Sequence, residues 1–196
     1  MKLRTLLPGV IAAAAMAFCS LHGAAQQTKT LFTGRTSVKL SSTFTGALSS
    51  LDASVGRVFP SEVEAGSVTF PVTGGAIDLA TASGNILHSG GLTLKAGDTV
   101  VSLQSFIIDT TGRPMITGLV VVNGKLLGRI PLFDLTLPDG FSLPLHLNEN
   151  RLILKGVGVT LDAQAAGALD AVFKVSAFTG GFPIGTAQVV AYRAGW

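Results

Sequence analysis

The chain has 196 residues, of which 47% are hydrophobic and 13% are charged, and its formal net charge is +3. This composition excludes an intrinsically disordered protein, which would be poor in apolar residues and rich in charge. It also argues against a nucleic-acid-binding protein, because the basic residues are scattered and loss of Lys2 and Arg4 with a leader peptide would lower the charge to +1.

The N-terminus has the order of a secretory signal peptide. Two basic residues precede an apolar run, Val10–Phe18, and small residues follow up to Ala25. We expect a signal peptide over 1–25 and a single mature domain over 26–196. Cys19 lies in the leader, so the mature domain would have neither a disulfide nor a thiolate metal site. The prediction is a secreted or periplasmic (extracytoplasmic) protein with no transmembrane segment in the mature chain.

Alternation of apolar and polar residues predicts a series of short β-strands. The first is 29–40, and Ser42 is the predicted cap of a short helix that follows, because Phe44, Ala47, Leu48 and Leu51 recur on one helical face. Asn123-Gly124 is the strongest hairpin signal in the chain. Further strands are predicted at 55–59, 67–72, 75–79, 84–94, 99–109, 115–122, 125–137, 152–161 and 184–193, and candidate turns include Gly74-Gly75. The segment 141–147 is predicted to lie at an edge or outside the sheet, because Pro144 cannot donate to a strand ladder.

A second helix is predicted over 163–174, with Asp162 as its N-cap. Frequent turns between short strands favour antiparallel neighbours. The predicted fold is therefore mainly β, an antiparallel β-sandwich of immunoglobulin-like architecture with one or two short helices.

Few residues are candidates for chemistry. His88 shares a strand face with Ile86 and Leu92, which indicates a core residue, and Ser89 would point to the opposite face. His146 alternates with leucines and is predicted to face solvent. These two histidines lack the spacing of metal ligands, and the sequence has no nucleophile elbow, so we expect no metal site and no enzyme.

Several segments resemble the Htaa (haem-transport-associated) domain family and its uncharacterised secreted relatives, over nearly all of residues 30–192. They are FPVTGGAIDLATASGNILHSGGLTL (70–94), the segment Pro131–Leu135, GVGVTLDAQAAGALDAVF (156–173) and FTGGFPIGTAQV (178–189). The resemblance implies an extracytoplasmic β-rich domain and, for the best-known members, haem binding through a tyrosine supported by a histidine. The family tyrosine lies in the N-terminal segment, whereas Leu31–Leu51 contains none.

The sequence thus predicts a secreted, non-enzymatic envelope or extracellular binding module for a small hydrophobic ligand or an envelope component. The alternative is a haem-binding protein for uptake or storage, with His88 or Tyr192 as the iron ligand in a set that differs from the family's. A third hypothesis is a hydrolase with His88 as its base. The candidate ligand-binding residues are His88, Ser89 and Tyr192, and haem is the one cofactor considered.

Overall fold

A computed structural model describes residues 27–194, so the predicted signal peptide and Cys19 lie outside the described residues. The described part forms twelve strands and two helices. The strands are β1 (Thr28–Leu40), β2 (Ala53–Val58), β3 (Glu62–Glu64), β4 (Ser67–Asp78), β5 (Gly84–His88), β6 (Gly91–Ala96), β7 (Thr99–Asp109), β8 (Met115–Val122), β9 (Lys125–Thr136), β10 (Leu147–Asn148), β11 (Arg151–Leu161) and β12 (Pro183–Arg193). The helices are α1 (Ser42–Ser50) and α2 (Ala163–Phe173).

Eight of the strands close into an antiparallel barrel in the order β7-β5-β4-β1-β12-β11-β9-β8. The ring closes because β8 pairs with β9 on one edge and with β7 on the other. The mainly β, antiparallel class is confirmed, but the predicted two-sheet sandwich is replaced by this closed ring. Closure gives the strands of the ring partners on both edges, which a sandwich would leave free at its outer strands.

The barrel interior is filled by alternate side chains from each strand. Thr36 and Val38 on β1 and Val189 on β12 are all buried, while Lys39 and Gln188 on the same strands are exposed. Phe70, Phe106 and Phe133 form an aromatic cluster, with ring centroids 5.0 and 6.4 Å apart. The alternation of buried and exposed side chains along each strand is the pattern that period-two alternation in the sequence predicts.

Both helices lie at the barrel end that contains Leu40, the last residue of β1. The N-cap of α1 is Ser41 and not Ser42 as predicted, because the Ser41 hydroxyl accepts a 3.0 Å hydrogen bond from the Phe44 amide. The helix buries Phe44 and Leu48. α2 begins at its N-cap Asp162, as predicted, with a 2.8 Å bond from the Gln164 amide. No helix among residues 27–194 is both long and apolar enough to cross a membrane.

Two local predictions are wrong. Gly74-Gly75 is not a turn but part of the single strand β4, where a bulge next to Gly74 adjusts the pairing with β5. Positions 84–94 form two strands, because the chain turns at Ser89-Gly90, where Gly90 adopts a φ of 75°. The segment 141–146 lies outside the sheet, which is one of the two predicted outcomes, since Pro144 cannot donate to a strand ladder.

Candidate functional site

His88 lies inside the barrel at the end of β5, as its shared face with Ile86 predicts. Its side chain is buried, and its Nε2 lies 2.7 Å from the Thr36 hydroxyl of β1. Among the described residues no group forms a hydrogen bond to its Nδ1. The imidazole borders an interior cavity of about 50 Å³, with otherwise apolar walls apart from Thr36. That volume is well below the roughly 300 Å³ at which pockets for drug-sized ligands begin.

Burial lowers the pKa of His88 from 6.5 to about 4, and backbone groups of Phe106 and Ile86 only partly offset this effect. The imidazole is therefore neutral at physiological pH. A general base works best when its pKa is near the operating pH, so His88 would be a weak base. Within residues 27–194, Thr36 is the side chain bonded to His88, and no serine-carboxylate arrangement accompanies it. This geometry gives no support to the hydrolase hypothesis.

Ser89 lies at the corner between β5 and β6, and its backbone amide donates a 3.1 Å hydrogen bond to the Pro71 carbonyl oxygen. It is half-buried. Tyr192 is remote from this corner, on β12, and its side chain is on the outside of the barrel, 42% exposed. The structure therefore does not bring the three candidate residues together into one site: His88 faces inward and Tyr192 faces outward.

Tyr192 lies at the barrel end opposite the helices, and basic and aromatic neighbours surround it. On one side it pairs with Thr33 of β1, where a bulge leaves the adjacent Phe32 71% exposed. On the other side it pairs with Arg151 of β11. The Nε atom of Arg151 is buried and has no hydrogen-bond partner among the described residues. The Arg151 side chain as a whole is 36% exposed beside the phenol, and its guanidinium lies 3.7 Å from the Glu149 carboxylate, so an anionic ligand would compete with Glu149 for its charge.

His146 lies on the same outer face as Tyr192. It is exposed, as predicted, and it borders a cavity of about 210 Å³ together with Ile153 and Lys155 of β11. His146 directly precedes β10, which pairs with β11 at Leu147 and Leu152, whereas Tyr192 of β12 pairs with Arg151 on the other edge of β11. The two residues thus flank β11 from its two edges.

The outer-face site is defined here as Tyr192, Arg151, His146, Lys155 and Ile153. It offers one phenol and one imidazole as metal-ion donors and two cations for carboxylates. Within the described part of the chain, no three His, Cys, Asp or Glu side chains are grouped to hold a metal ion on their own. Sequence reasoning missed the proximity of His146 to Tyr192, although the turn after Asn148 was a signal that could have placed His146 beside β11.

The fold is that of the HtaA-type β-barrel domains. The chain is similar to the C-terminal domain of HtaA from Corynebacterium glutamicum, with a TM-score of 0.64 and 13% identity over 85% of this chain and 99% of that chain. The N-terminal domain of the same HtaA matches with a TM-score of 0.62, 12% identity and coverage of 84% and 99%. The Heme binding protein HtaB from that organism matches at 0.56, with 11% identity over 85% and 96%.

These similarities confirm the resemblance to the Htaa family at the level of the fold. No protein-family model matches the chain, and no curated protein matches it.

Proposed function

We propose that the chain is a non-enzymatic, extracytoplasmic binding module whose ligand is haem, bound at the outer-face site. The observation that carries the proposal is the exposure of the Tyr192 phenol and the His146 imidazole on one face, beside a cavity of about 210 Å³. The shared fold with a protein described as a haem-binding protein supports it. The predicted signal peptide supports the location.

The donor set fits the chemistry of haem. Tyrosine and histidine side chains both bind haem iron in proteins, so Tyr192 and His146 would hold the iron. Arg151 and Lys155 would hold the carboxylate groups, because both are positively charged and reach the surface, where the haem carboxylates would displace Glu149 from Arg151. When bound, haem supplies an iron that accepts oxygen and nitrogen ligands. Phe32 and Ile153 offer the apolar contact that a flat macrocycle requires.

His88 has no part in this site. Its available nitrogen is buried beside a cavity of about 50 Å³, so a haem could reach it only if the barrel opened. We therefore retain Tyr192 from the sequence-based candidates, assign no haem contact to His88 or Ser89, and add His146 and Arg151. The ligand set differs from the family's, as the absence of tyrosine from Leu31–Leu51 predicts.

Titration of the mature domain with haemin, followed by visible absorption, tests the proposal. We expect a saturable shift of the Soret band, and at least a tenfold loss of affinity in Tyr192→Phe, which keeps the ring but lacks the phenolic oxygen. Gln188→Ala is the matched control, since Gln188 is exposed on the same strand and face. An absence of saturable binding, or equal affinity of the wild type and Tyr192→Phe, would contradict the proposal.

The role of the cations can be separated from that of the iron ligands. We expect Arg151→Gln to weaken binding of haemin but not of its dimethyl ester, which has no free carboxylates. His146→Ala should weaken both compounds, because an iron ligand acts on either form. Loss of both compounds in Arg151→Gln would show that this arginine does not act through the carboxylates.

A further inference from the structure

Another cavity, of about 240 Å³, lies between α2 and the sheet formed by β7, β8 and β9. We call it the helix groove. Its walls are apolar except for Gln164. They include Val101, Leu103, Val122, Leu127, Ala168 and Val172. It is at the helix end of the barrel, opposite Tyr192, so it is separate from the outer-face site.

On the helix side of the groove, two alanines stand among Gln164, Leu169 and Val172. Ala165, Ala168 and Val172 follow the i, i+3, i+7 spacing of one helix face, and that face lies over the sheet. Two alanines leave a space that larger side chains would fill. The floor is buried at Leu161 and Leu103, whereas the lip at Leu127 is 57% exposed. An apolar channel that runs from a buried floor to an exposed apolar lip suits a slender hydrophobic ligand.

The lip of the groove is positively charged. Lys125 pairs directly with Val122, so the two side chains share the hairpin face that borders the groove. Lys174 ends α2 just beyond Val172, and it is exposed. The nearby turn between β6 and β7 carries Asp98, and Lys95 precedes that turn near the end of β6. These two charges offset each other, so the excess charge beside the lip is positive.

We infer that the helix groove binds a long-chain fatty acid, with the alkyl chain between α2 and the sheet and the carboxylate beside Lys125. The apolar walls match an alkyl chain, and the cations at the lip match an anionic head. This inference is independent of haem binding at the other end of the barrel.

The fluorescence of cis-parinaric acid, a polyene fatty acid, reports its transfer from water to an apolar site. The mature domain should bind it saturably, and Ala168→Phe should lower the affinity at least tenfold by filling the groove. Ala168 is exposed, so the larger side chain can be accommodated without disturbing the core. Ala171→Phe is the matched control, because Ala171 is exposed on the same helix but does not border the groove. An equal loss in both variants, or no saturable binding, overturns the inference.

The position of the carboxylate has its own test. Lys125→Glu should weaken binding of the acid several-fold and leave binding of its methyl ester unchanged. The control is Lys39→Glu, which makes the same charge change at an exposed position of β1 and should affect the binding of neither compound. If the ester binds the wild type as tightly as the acid does, the assignment to a fatty carboxylate is wrong. Tyr192→Phe should bind parinaric acid normally, so failure of haem binding and failure of this inference are distinguishable.

Discussion

The buried pair Thr36–His88 should make the stability of the domain depend on pH. The folded state lowers the pKa of His88 from 6.5 to about 4 because burial disfavours the charged imidazole. Between these values the unfolded chain binds a proton that the folded domain does not, so stability is fully present above pH 6.5 and is lost as the pH falls towards 4. Between pH 7.5 and 4.5 the loss attributable to His88 amounts to about 2.5 kcal/mol of unfolding free energy.

The double variant Thr36→Val/His88→Leu removes both partners together, so that neither leaves an unpaired polar atom in the core. Urea unfolding at a series of pH values should show that the wild type loses about 2.5 kcal/mol more than the double variant over this range. The pKa of Asp109 is also lowered, by hydrogen bonds from Thr111, but this contribution is the same in both proteins and cancels. Parallel pH profiles for the two proteins would refute the reasoning.

Two further predictions concern local structure. Gly90→Ala should destabilise the domain by about 2–4 kcal/mol, because Gly90 has a φ of 75° and an added Cβ would lie 2.7 Å from the Ser61 nitrogen. Gly46→Ala, in α1 with open space around it, should stabilise by about 0.5–1 kcal/mol, and thermal unfolding of both variants checks the contrast. Asp162→Ala removes the cap of α2 and the 3.1 Å ion pair with Arg113, at a cost of about 2 kcal/mol. Asp162→Asn keeps the cap, so urea unfolding should show roughly half that loss; an equal loss would assign the effect to the ion pair alone.

Much of the fold was predictable because its signals are local. Period-two alternation placed β1, the strands from β7 to β9 and β12 to within a residue or two, and Asp162 was correctly identified as a helix cap. The signals failed where tertiary contacts change the local preference. Gly74-Gly75 has turn composition, yet β1 and β5 pair on both sides of it and hold it in an extended strand.

The candidate site was harder to predict than the fold. The inward direction of His88 followed from strand alternation alone, but its partner Thr36 is 52 positions away and only the pairing order brings them together. The proximity of Tyr192 to His146 depends on the adjacency of β12 and β11 and on the short β10 pairing, which local pattern does not encode. The helix groove likewise exists only because α2 packs over the hairpin of β8 and β9.

The sequence by itself determined the mainly β class, the positions of most strands, the two helices and the burial of His88, because each depends on periodicity or capping within a short segment. Only the tertiary structure decided that the strands close into a barrel. It separated His88 inside the barrel from Tyr192 outside. It also placed the cavity beside His146 and the helix groove at opposite ends of the barrel. The physical reason is that closure and site assembly depend on which distant strands share hydrogen bonds, and many pairings are compatible with the same alternation.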